Sequence, residues 1–194
     1  MGIIRVQNRK LELPKIRWNA FFISLILVGL GSSYYHLSPS TYSLFWDRLP
    51  MSLGFALLSA NFLAERYSTL KGKTPLFLLL GFSLYSVIHW HLGELIELGD
   101  LRLYGITQFA TIGVIGTILI FRPHGIPLDR PYWILFIGYS IAKACEMLDP
   151  VIFTLSHEFL GGHVIKHLIS GIALLCFIPP TRTLLKPYNR ILPR

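Results

Sequence analysis

Charge is scarce in this chain and cysteine scarcer. Only 14% of its 194 residues are charged, where a soluble domain carries roughly 25%. Charge this sparse cannot clothe a water-facing surface. This argues against a soluble core, and disorder and a nucleic-acid-binding arm are excluded as descriptions of the whole. The two cysteines, Cys145 and Cys176, are too few for a disulfide-stapled secreted module. Each lies inside an apolar run, where a small buried hydrophobe is the expectation. No linker, repeat or low-complexity tract breaks the chain.

What the sequence does have is apolar length: 53% of residues are hydrophobic, and the mean hydropathy is +0.54. The net charge of +8 would suit nucleic acid, but the basic residues sit in short clusters between long apolar runs. That pattern belongs to membrane topology, and no nucleic-acid partner is expected. Six stretches reach the roughly 20 residues needed to cross hydrocarbon, at about 18–36, 48–65, 74–92, 104–121, 131–149 and 161–178. Pro50 falls in the first turn of the second stretch, and Pro179 with Pro180 stops the sixth. The fold class expected is all-α, a polytopic transmembrane helix bundle of six spans. Its organisation is a basic segment 1–17 without a signal-cleavage site, a membrane domain 18–178 and a basic tail 179–194.

The segments 1–17, 66–73, 122–130 and 179–194 hold 14 of the 18 basic residues. They alternate along the chain, so an even span count places all four, and both termini, in the cytoplasm. The loops between them are acidic or nearly neutral. An integral protein of a bacterial inner membrane fits these short basic loops.

Ionisable residues near a bilayer core are costly and mark function. This topology gathers His36, His89, His91, His157, His163 and His167 in the outer leaflet, leaving only His124 on the inner side. His163 and His167 are four apart, on one helical face, a spacing that suits one metal ion. The same spacing also serves two interfacial histidines. The segment GGHVIKH lacks the glutamate of the zinc-protease motif, so a base must come from elsewhere. His36 offers a third nitrogen, and three histidines leave a zinc position open for chemistry. Asp47 reads either as that base or as a helix N-cap or partner of Arg48. Ser32, four before His36, either donates to a developing oxyanion or bonds a helix carbonyl. Lys143, Glu146 and Asp149 form a stripe suited to an internal salt bridge or to a direct role, and Lys166 is expected to point away and snorkel to the interface.

The stretches GSSYYHLSP (31–39), LFWDRLPMSLGF (44–55), GDLRLYGITQF (99–109) and GGHVIKHLISG (161–171) resemble the CREST superfamily of integral-membrane hydrolases, and within it the alkaline ceramidase branch and its bacterial relatives. The resemblance implies a zinc ion held by His36, His163 and His167, with Ser32 and Asp47 lining the water site. It implies cleavage of the amide bond of an N-acyl lipid, giving a fatty acid and an amine, a sphingoid base if the lipid is a ceramide. Membrane lipids are then the surroundings, and a homodimer could cover the cavity. Family members usually have seven helices, with the serine–histidine pair on the second. Here the pair falls on the first, so the family's first helix and its calcium-associated acidic region are expected to be missing. The alternative from another class is a zinc-stabilised, non-enzymatic membrane receptor or scaffold. A histidine-ligated haem bundle is a further rival, and a transporter fits poorly with polar groups gathered at one surface.

Overall fold

A computed structural model describes residues 15–67 and 73–184. Most of the basic segment 1–17, most of the 66–73 loop and the end of the basic tail lie outside the described residues. The described residues form seven helices: α1 (Lys15–Leu37), α2 (Thr41–Arg66), α3 (Lys73–Glu94), α4 (Arg102–Phe121), α5 (Ile126–Met147), α6 (Asp149–Leu155) and α7 (Gly162–Leu184). The all-α class stands, but the six spans do not. Among the described residues three helices are long and apolar enough to cross a membrane: Ile16–Leu37, Pro75–Glu94 and Arg102–Phe121.

The physical reason lies in what dilutes the others. α2 is long, yet it carries Asp47, Arg48, Asn61, Glu65 and Arg66 among serines. α5 carries Asp129, Arg130, Lys143 and Glu146. The described apolar part of α7, Gly162–Phe177, is too short. An even span count therefore no longer supports placing both termini on one side. α7 also runs through Pro179 and Pro180 to Leu184 rather than stopping there; a proline deletes one N–H donor, and the remaining amides can carry the helix on. The chain is an integral membrane protein, and its large exposed apolar surface, including Ile26, Leu30, Phe77, Leu78 and Phe121, suits lipid contact. Cys176 is exposed and Cys145 only half-buried, so neither is the core hydrophobe expected.

The described chain divides into two compact units, the first ending at Thr111 and the second beginning at Ile112. In the first, α1, α2 and α3 pack around Trp18, Phe21, Phe62, Val87 and Trp90, all nearly fully buried. Small and hydroxyl-bearing residues line its seams. Ser59 Oγ donates to Thr111 Oγ1 at 2.8 Å, and a Cβ at Gly54 would stand 3.0 Å from Ser24 Oγ. Without water, interhelical association relies on such close approach and polar contact. The α1–α2 turn is tied by serines. Ser40 caps α2, its hydroxyl accepting from the Ser43 N–H at 3.1 Å, and Ser43 Oγ donates to the Ser38 carbonyl at 2.6 Å. In the second unit α5 packs on α7, with Tyr132 edge-on to Phe177 at 5.6 Å and Gly138 against Ala173.

Candidate metal centre

In the first unit, Ser32 and His36 occupy successive turns of α1. Asp47 lies inside α2, whose cap is Ser40, so the N-cap role is not its own. Pro50 sits in the interior of α2 rather than its first turn. Lacking an N–H, it leaves the Trp46 carbonyl without its usual helical donor. That carbonyl faces Gly31: a Cβ there would collide with Trp46 O and come within 3.0 Å of the Asp47 Cα. Glycine at 31 thus lets the α2 backbone at Asp47 lie against the turn of α1 that carries Ser32. The side chain bonded to a helix carbonyl is Ser33, whose Oγ donates to Gly29 O at 2.8 Å. The Ser32 hydroxyl makes no hydrogen bond to the described residues.

In the second unit, His163 and His167 fill the first turns of α7. Gly162 lets this helix begin against α5 and α6; a Cβ there would collide with the Cys145 carbonyl and stand 3.0 Å from the Asp149 Cα. Asp149 Oδ1 accepts the His163 backbone N–H at 2.7 Å, satisfying an orphan donor of the helix start. The two Nε2 atoms converge to 3.2 Å. Tetrahedral ligands at about 2.0–2.1 Å from zinc stand about 3.3 Å apart, so the spacing fits two imidazoles sharing an ion.

Lys166 does not snorkel. Its Nζ donates to Glu146 Oε1 at 2.8 Å and lies 3.3 Å from His163 Nδ1. Glu146 also accepts from Lys143 at 2.7 Å. Burial raises the Glu146 carboxyl, but the hydrogen bonds from Lys143 and Lys166 outweigh it and hold the group at about 2. Of the charged stripe, then, Lys143 and Glu146 pair with each other while Asp149 serves the start of α7. No sequence signal joined Lys166 to Glu146, because the link is tertiary and 20 residues long.

Of the three expected ligands, His163 and His167 form the converging pair in the second unit, and His36 stands on α1 of the first. His163 is half-buried and the other two are exposed. Neutral imidazole nitrogens suit zinc, among other borderline metals. His89 and His91 lie on α3, and His91 packs against Phe45 with ring centroids 4.6 Å apart. His157 lies in the turn after α6 with a left-handed backbone, φ 54°. No family model, curated protein or solved structure matches the chain.

Proposed function

We propose that this protein is a zinc-dependent membrane amidohydrolase that cleaves N-acyl lipids in the manner of an alkaline ceramidase. The observation that carries the reading is the paired Nε2 atoms of His163 and His167, 3.2 Å apart on one face of α7. The resemblance of segments 31–39, 44–55 and 161–171 to that family supports it. His36, His163 and His167 would hold the ion, whose Lewis acidity supplies polarisation of a carbonyl and acidification of water.

The chain's own residues then divide the remaining work. The Asp47 carboxylate takes the proton of the water whose oxygen attacks the amide carbon. As the C–N bond breaks, Asp47 returns that proton to the leaving nitrogen, so one residue serves as base and then acid. The Ser32 hydroxyl donates to the oxyanion. Among the described residues its hydroxyl has no hydrogen-bond partner, which supports this role, and the Gly31 contact supports placing Asp47 beside the Ser32 turn. The products are a fatty acid and an amine.

The test is metal content and turnover on the same detergent-purified protein. The expected result is about one zinc per chain, lost in a folded triple variant His36→Ala, His163→Ala, His167→Ala, with zinc-dependent release of fatty acid from an N-acyl lipid panel. Zinc without turnover on any N-acyl lipid would favour a zinc-stabilised receptor. No zinc after readdition would overturn both.

A further inference from the structure

Arg48, one residue beyond Asp47, is a partly buried cation of the first unit with a donor left unused. Its guanidinium lies 4.2 Å above the Trp90 ring and 5.5 Å from the Tyr104 ring. It forms no ion pair and donates no hydrogen bond to any described residue. Nη1 is fully buried with no partner. An arginine offers five N–H donors in a planar fork, and leaving a buried one idle is expensive. Stacking on aromatic faces recovers part of that cost through cation–π attraction, but it uses the faces of the guanidinium and leaves the donating edge unused.

The surroundings hold that edge in place. Trp90 is 2% exposed, and its Nε1–H donates to Glu94 Oε1 at 2.8 Å. Glu94 thus holds the ring beneath the guanidinium, and its charge, like that of Asp47, also acts on Arg48 without a direct ion pair. Tyr104 donates its hydroxyl to Met51 Sδ at 3.1 Å, so its oxygen is also engaged elsewhere. One turn before Arg48, Phe45 stacks on His91, whose Nδ1 is likewise buried without a partner. Two idle polar nitrogens, Arg48 Nη1 and His91 Nδ1, thus occupy neighbouring turns of the α2–α3 seam among aromatic rings.

We infer that Arg48, stacked on Trp90 and Tyr104, is a recognition site for an anionic oxygen group, a carboxylate or phosphate. Arginine matches these groups edge-on with paired N–H donors, and its stacked faces leave that edge as the recognising element. The aromatic lining favours an anion attached to an apolar body. The inference stands apart from the metal, since none of its residues is among the three histidines.

The test is ligand binding to the full chain in non-ionic detergent, followed by tryptophan fluorescence because Trp90 lies under the guanidinium. The probes are oleate, oleyl phosphate, oleyl alcohol and inorganic phosphate. The wild type should bind oleate or oleyl phosphate roughly tenfold or more tightly than the alcohol. Arg48→Gln should erase that preference while zinc content stays unchanged, and Arg48→Lys should retain only part of it. Binding of inorganic phosphate as tight as that of oleyl phosphate would identify a free anion as the source; a gain from the chain would identify a lipid head group. Equal binding of the charged and neutral oleyl compounds by the wild type overturns the inference without reliance on any variant. Retention of the full preference in Arg48→Gln overturns it as well.

Discussion

Asp149 Oδ1 receives the backbone N–H of His163 at 2.7 Å, so the carboxylate that opens α6 also sets the first turn of α7. A ligand's orientation depends on such supporting bonds, and losing one commonly costs about 10–100-fold in metal affinity. Asp149→Ala should weaken zinc binding by about tenfold, while Asp149→Asn, which keeps an acceptor oxygen, should lose less. Competition with a chromogenic chelator reads both.

His167→Ala removes one of two nitrogens that stand 3.2 Å apart. Its zinc content should fall close to zero with helicity retained by circular dichroism. His124→Ala, whose ring bonds the Arg122 carbonyl at 2.8 Å, should keep its zinc. Equal loss in the two variants would separate the metal from this pair.

Asp47→Asn keeps the shape of the side chain and removes its basicity. Turnover of an N-acyl lipid should drop by about 10²–10⁴-fold with zinc content unchanged. Activity within a factor of two of the wild type would remove Asp47 from the chemistry.

Gly31→Ala drives a methyl into the Trp46 carbonyl. Overpacking of this kind costs about 1–3 kcal/mol, and thermal unfolding in detergent should show it. Gly29→Ala, with nothing within 4 Å of the added carbon, should leave the midpoint unchanged or raised.

Glu146 has its carboxyl lowered from 4.5 to about 2. A lowered carboxylate contributes stability that is complete above its unfolded value and lost as pH falls through the folded one. The stability gap between the wild type and Glu146→Gln should therefore be level above about pH 5 and shrink between about pH 4.5 and 2. Unfolding midpoints of both proteins across that range test it.

The helices were legible because apolar runs between breakers announce themselves: four of the six expected stretches lie wholly within helices, while 131–149 overruns the end of α5 into α6 and 161–178 begins one residue before α7. Span count was not. Hydropathy across α2 and α5 is an average over lipid-facing and chain-facing residues, and Asp47, Lys143 and Glu146 lower it. The α7 histidine pair followed from its spacing alone, since i and i+4 share a face whatever surrounds them. Lys166 was misread because its direction depends on Glu146, on another helix. The stacking of Arg48 on Trp90 was invisible for the same reason. Pro50 gave its position in the chain but not the start of its helix, which the serines at 38, 40 and 43 determine.

Those serines also bear on the order in which the molecule is made. Ser43 bonds to Ser38 and Ser40 within five residues, and short loops of this kind close fast compared with synthesis. The α1–α2 hairpin can therefore be in place, with Ser32, His36 and Asp47 on it, while the rest of the chain is still on the ribosome. His163 and His167 are translated more than a hundred residues later. The His163–His167 pair is then set up late in biogenesis, and under the proposed function a nascent chain stalled before α7 should emerge without metal.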